Sequence, residues 1–180
     1  RRIRHIEDQC NVLSERLKSI QEIAALTSTP VQMHPMDLNQ FLLNFYQNCR
    51  PVVELYGLNF WQKITTRPCH ISGNPEQLFR ALENLLYNAT DFTPPEGTIV
   101  LSLSRDNAFA RIELSDNGYG ISKEDVPDIF QRSYTTRSDK DGQGLGLAIT
   151  RTIVLEHAGT IDVVSREGEG STFTICLPLT

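Results

Sequence analysis

Two asparagines and an aspartate are the first residues whose spacing suggests chemistry. In "ENLLYNATDF", Asn84, Asn88 and Asp91 follow one another at intervals of four and three. On a helix this gathers them within about 60° of one another, opposite Phe79, Leu82, Leu86 and Ala89. An amide oxygen is a neutral, hard ligand, suited to a Mg²⁺ ion that already carries phosphate charge. The same three residues, taken alone, also read as a solvated polar face. Downstream, "DNGYGI" (116–121) follows the strand-like "ARIELS". A carboxylate held at a strand end can accept a hydrogen bond from an exocyclic amine such as that of adenine. Gly118 and Gly120 let backbone approach closely without side-chain obstruction. A plain Asp-Gly turn accounts for this stretch equally well. Then "SYTTRSDKDGQGLGL" brings hydroxyls, the Arg137 cation and Gly142, Gly144 and Gly146. Backbone N–H groups bared by glycine and running into a helix N-terminus make an anion site. A mobile surface loop is the competing reading. The spacing fits neither GxxxxGK[ST] nor GxGxxG, which disfavours P-loop and Rossmann sites.

These residues need elements to hold them. Asn74 is a good helix cap, Pro75 suits the first helical position, and Gln77 completes a capping-box-like start. That predicts a helix carrying the two asparagines. "DLNQFLLNFYQNCRPVVELYG" predicts an earlier helix with Leu38, Leu42, Phe45, Cys49 and Val53 on one face. "LNFWQKITT" reads as a strand, and "TIVLSLSRD" with "ARIELSDN" as a hairpin. A short helix near 122–130, an irregular polar stretch to 143 and a helix from about 145 to 157 come next. "GTIDVVSREGEGSTFTICLPL" closes the chain as two strands joined by a Gly-rich turn. The expected class is α+β, a two-layer sandwich with a mixed sheet and helices on one face.

At the other end, Ile3, Ile6, Cys10, Leu13, Leu17, Ile20 and Ala24 keep a 3,4 spacing, the seam of a coiled coil or helical hairpin. The expected division is a helix over 1–28, a linker over 29–36 containing two prolines, and a globular domain over 37–180. The 180 residues carry a net charge of −5 without a basic run, which excludes nucleic acid as the main partner. Cys10, Cys49, Cys69 and Cys176 show no metal-ligand spacing and point to reduced thiols and a cytoplasmic location. No apolar run is long enough to span a membrane, so no membrane contact is expected of this stretch. His34, His70 and His157 read as structural.

In this order the segments resemble the catalytic and ATP-binding domain of sensor histidine kinases, within the superfamily that also holds gyrase, a heat-shock chaperone and MutL. "ENLLYNATDFTP" is similar to the N box, "DNGYGI" to the G1 box, "DIFQRSYTTR" to the F box and "GQGLGLAI" to the G2 box. "HAGTIDVVSREGEGSTFTICLP" is similar to the family's closing segment, so the resemblance covers about residues 36–180. It implies a Bergerat-type ATP site with ATP and Mg²⁺ as cofactors. Asn88 matches the Mg²⁺-coordinating Asn, and Asn84 lies one turn earlier beside the phosphates. Both are the expected catalytic positions. Asp116 matches the residue that reads the adenine amine, with Gly118, Gly120 and Ile121 around it. Tyr134, Thr135, Thr136 and Arg137 match the end of the F box in an ATP lid. Gly142, Gln143, Gly144, Leu145, Gly146 and Leu147 match the lid–helix junction. Ser171 stands where a hydroxyl helps bind the adenine edge. Asp91 replaces a residue that is often basic in the family, and Ser133 one that is often aromatic.

The first helix resembles the second helix of the family's dimerisation and phosphotransfer hairpin. The resemblance implies a homodimer through that hairpin, and a response-regulator receiver domain as partner. His5 is off the seam and is a poor match to the phosphoacceptor, so this stretch is not expected to phosphorylate itself. Two other readings share these residues. One is a conformational ATPase, which would place a water-activating Glu where Asn84 stands. The other is a non-catalytic nucleotide-sensing dimerisation module.

Overall fold

The computed structural model describes residues 32–131 and 145–180. The expected helix over 1–28 and most of the lid lie outside them. Seven strands and three helices follow in the order β1 (His34–Asp37), α1 (Leu38–Leu55), β2 (Asn59–Ile64), β3 (His70–Gly73), α2 (Pro75–Phe92), β4 (Thr98–Arg105), β5 (Phe109–Asp116), α3 (Gly146–Glu156), β6 (Thr160–Arg166) and β7 (Gly170–Pro178).

Five strands form one mixed sheet in the order β2-β4-β5-β7-β6. Only β2 and β4 run parallel, because β3 and α2 supply the crossover that a parallel pair requires. The strands β4 to β7 pair antiparallel, two of the joins being tight hairpins. Each strand alternates, and the register stacks the apolar positions of one face. Leu103, Ile112, Ile175 and Ile161 form one row, and Leu101, Leu114, Phe173 and Val163 the next. The helices cover this face, while its reverse carries residues such as Lys63, Arg111 and Asp162. The two-layer α+β sandwich expected from the pattern is therefore the observed fold.

Local chemistry explains the helix boundaries. Asp37 caps α1 by accepting from Gln40 N at 3.1 Å, and Asn74 caps α2 by accepting from Gln77 N at 3.0 Å. Leu38, Leu42, Phe45 and Val53 are buried on α1 as expected, with Cys49 half-buried. On α2 the buried face is wider than the single-stripe reading, adding Leu78, Ala81 and Leu85. The reason is position: α2 meets the sheet, α1 and α3 together. Phe79 is correspondingly half-buried, edge-on to Phe45 with centroids 5.2 Å apart.

Two expectations change. Residues 123–130 form consecutive turns rather than a helix, with bonds such as Asp128 N to Asp125 O and Gln131 N to Asp128 O. Pro127 within the segment lacks the N–H that a continuous helix needs. The stretch expected to be linker also contains β1, which pairs with β3 through His34↔Gly73 and Asp37↔His70. Four residues with two prolines nearby leave no periodic signal to read. His157 is structural, as expected. It is buried, its Nε2 accepts from Asn74 N at 2.9 Å, and its Nδ1 therefore donates to Ile153 O at 2.7 Å.

Candidate functional site

The inner face of the sheet is apolar until its last row. Along β5 the inward residues run Ala110, Ile112, Leu114 and then Asp116. Along β7 they run Leu177, Ile175, Phe173 and then Ser171, and along β6 Ile161, Val163 and then Ser165. The pairings Asp116↔Ser171 and Ser165↔Ser171 set the three polar residues side by side across adjacent strands. Buried polar groups are costly unless bonded, so such a row must be accounted for.

Asp116 Oδ1 accepts from Gly118 N at 2.9 Å and from Ser171 N at 3.3 Å. One carboxylate oxygen is thus fixed by backbone while the other stays an acceptor. Burial raises the Asp116 pKa above its ordinary value, and the two N–H bonds oppose that rise. Around it the backbone is close-set. A Cβ on Gly118 would overlap the carbonyl of Phe92, and one on Gly120 would overlap that of Arg166. Gly120 also has φ +70°, where L side chains are disfavoured. These glycines were expected to let backbone approach a ligand. In the structure each first lets one backbone segment approach another. Gly118 lies against the end of α2, where Tyr119 N also donates to Phe92 O at 3.0 Å. Gly120 lies against the β6–β7 turn, where Gly168 N donates to Tyr119 O at 2.7 Å. The "DNGYGI" turn is so clamped from both sides. Thr93, just past α2, is buried, and its Oγ1 has no hydrogen-bond partner among the described residues.

The second end of the site lies on helices. Asn84 and Asn88 are half-buried and Asp91 is exposed. Asn84 Nδ2 donates to Gly146 O at 3.2 Å, which ties α2 to the first turn of α3. Thr150, fully buried one turn on, donates through Oγ1 to the same carbonyl at 2.9 Å. Asn84 thereby braces the helix that opens at Gly146. Among the described residues no side chain caps α3, which leaves its first-turn N–H groups able to meet an anion. Among the described residues no three His, Cys, Asp or Glu side chains converge. A cation at this end would therefore rest on the Asn88 amide oxygen and on the phosphates themselves, which fits Mg²⁺ better than a soft metal.

The expected residues divide accordingly. Asp116, Gly118, Gly120, Ile121 and Ser171 come together at the sheet end. Asn84 meets Gly146, beside half-buried Leu145 and Leu147. Tyr134 to Arg137, Gly142, Gln143 and Gly144 lie outside the described residues. The root of that segment is anchored by buried Ile129 and by Phe130, edge-on to Phe173 at 6.4 Å. Two contributors escaped the sequence reading, Ser165 and Thr150. Ser165 left a signal, since it breaks the inward series Ile161, Val163 just as Asp116 and Ser171 break theirs.

Known proteins resemble this chain over most of the described fold. The profile of the family described as "Histidine kinase-, DNA gyrase B-, and HSP90-like ATPase" matches residues 73–180. The chain belongs to this family. Sensor histidine kinase ZraS of Escherichia coli O157:H7 is 33% identical over 174 residues, covering 93% of this chain and 35% of its own length. The chain thus spans about a third of that relative. Among solved structures, the mycobacterial sensor histidine kinase MprB is 28% identical with a TM-score of 0.71, covering 82% of this chain and 97% of its own. The catalytic domain of histidine kinase ThkA is 25% identical with a TM-score of 0.74, covering 83% and 99%. This ATPase-family domain is of the sensor histidine kinase type and binds nucleotide. No helix among its described residues is long and apolar enough to cross a membrane.

Proposed function

We propose that this chain is the nucleotide-binding part of a sensor kinase that uses Mg·ATP to phosphorylate a histidine. The supporting observation is Asp116, a half-buried carboxylate with one oxygen locked by two backbone N–H groups and the other available to an exocyclic amine. Asp116 and Ser171 bind the base, with Gly118, Gly120 and Ile121 forming the wall. Asn88 would hold Mg²⁺, and Asn84 positions the α3 N-terminus toward the phosphates. Tyr134 to Arg137, with Gly142, Gln143 and Gly144, complete the set of nucleotide-binding residues.

In the transfer a histidine ring nitrogen attacks the γ-phosphorus. The bond to the β,γ-bridging oxygen breaks, and ADP leaves with its charge neutralised. The domain does no covalent chemistry itself: it orients the triphosphate and exposes backbone donors. A Mg²⁺ ion held by Asn88 would supply charge neutralisation for the triphosphate. Asn84 is an amide with no basic site at neutral pH, which disfavours a water-activating ATPase. The accepting histidine lies on a hairpin helix upstream, and the phosphoryl group passes on to a response regulator. ThkA has been solved in complex with the response regulator TrrA, a precedent for that partner.

The test is binding of a non-hydrolysable ATP analogue, with and without Mg²⁺, to the parent chain and to Asn88→Ala. The parent gains affinity with Mg²⁺, and the variant loses that gain by about tenfold or more, as disturbed metal sites do. Its melting temperature stays level, because Ala is the better helix former. Equal affinity with and without Mg²⁺ in both proteins would overturn the metal assignment.

A further inference from the structure

The Ser165 hydroxyl has a full complement of hydrogen bonds, and counting them fixes the state of its neighbour. Ser165 Oγ donates to Gly170 O at 2.9 Å. A carbonyl can only accept, so this uses the single Ser165 proton. The same oxygen accepts from Ile121 N at 2.8 Å and lies 2.9 Å from Ser171 Oγ. With its own proton committed, Ser165 must accept from Ser171. The Ser171 proton is therefore spent on Ser165, and Ser171 Oγ has only lone pairs left to offer. Ser171 is 8% exposed and its N–H is bonded to Asp116 Oδ1. The row Asp116–Ser171 thus presents acceptors alone.

We propose that Ser165 is a specificity-determining positioning residue, which fixes Ser171 as an acceptor and so selects a 6-aminopurine over a 6-oxopurine. The inference rests on the reading of this end as the base pocket. A 6-amino group donates where a 6-oxo group accepts, so with Ser171 facing position 6 an acceptor there attracts the first and repels the second, whereas at N1 the preference is reversed. Through Ile121 N and Gly170 O, Ser165 also joins the "DNGYGI" turn to the β6–β7 hairpin. Without it, the Ser171 hydroxyl is released to rotate and can donate to a 6-oxo group.

The experiment measures dissociation constants of two Mg²⁺-bound triphosphate analogues, one with a 6-amino purine and one with a 6-oxo purine, which also carries a proton on N1. It uses the whole chain as parent, Ser165→Ala, Ser171→Ala and the double variant. The readout is the ratio of the two constants, which a partly unfolded sample does not change because both affinities scale together. Ser165→Ala should lower the preference for the amino base about fivefold, the size of one modest hydrogen bond. The double variant should fall no further than Ser171→Ala alone, and Ser165→Thr should restore the ratio. If Ser165→Ala does not fold, Ser165→Cys replaces the strong acceptor by a weak sulfur in similar volume and should also lower the ratio. An unchanged ratio in Ser165→Ala or Ser165→Cys, beside a parent that does prefer the amino base, would overturn the inference alone. An equal fall in the Ser171→Ala background would do the same. A parent with no preference would overturn the base-pocket reading and this inference with it.

Discussion

At the sheet end of the site, Asp116, Ser171 and Ser165 stand on three neighbouring strands, and the turn after Asp116 is clamped between α2 and the β6–β7 hairpin. At the helix end, Asn84 and Asn88 stand on one helix, and Asn84 is bonded to the first turn of another. The sheet end is held by backbone register and by hydroxyl and amide bonds that leave little choice of geometry. The helix end is held by side chains, and from Gly146 it runs back directly into the 132–144 segment. A base has one shape and one pattern of donors, so a fixed acceptor row suits it. Phosphates with a cation are met by charge and by N–H groups, which tolerate looser placement.

Glycine substitution is the strongest way to break this comparison. Gly120→Ala should cost about 3 kcal/mol or more, because a Cβ would overlap Arg166 O and φ +70° is unfavourable as well. Chemical denaturation would measure it, and a loss below about 1 kcal/mol would show that the clamp yields. Asp116→Asn probes the same end with a smaller effect. It should lower the preference for adenine over guanine nucleotides about tenfold, one charge-assisted bond. The parent's affinity should also fall on acidification, starting above the usual carboxylate range because burial raises the Asp116 pKa. The sign follows from that direction. The folded state holds this proton more tightly than the unfolded chain, so Asp116 detracts from stability once ionised, and the deficit disappears as pH falls through its folded pKa. Asp116→Asn should flatten the fall of binding on acidification and remove Asp116's relief of stability at low pH, which titrated binding and melting would detect. The smallest effect belongs to the helix end. A Cβ on Gly146 would meet Asn84 at 3.7–3.9 Å, ordinary contact. Gly146→Ala should leave stability unchanged or raise it by about 0.5–1 kcal/mol through helix propensity. A loss comparable to that of Gly120→Ala would erase the contrast between the two ends.

Much of this fold is legible in the amino-acid sequence. The cap at Asn74, the alternating hairpin of "TIVLSLSRD" and "ARIELSDN" and the two closing strands are local patterns, and each is realised. Asn84, Asn88 and Asp116 stood out for the same reason. What was not legible depends on partners distant in the chain. The role of Ser165 follows from bonds to Ile121 and Ser171, and that of Asn84 from Gly146, 62 residues away. The strand β1 exists only because β3 pairs with it.

The amino-acid sequence by itself determined the long helices and the hairpin strands and their apolar faces, but not β1 or the turns at 123–130, because side-chain periodicity and end-capping act within a few residues. Tertiary structure decided that three strands would end their apolar rows at the same level, so that one carboxylate and two hydroxyls share a hydrogen-bond chain. It also decided that Gly118 and Gly120 serve backbone-to-backbone approach. Register and close approach join residues tens of positions apart, and no local spacing can carry that information.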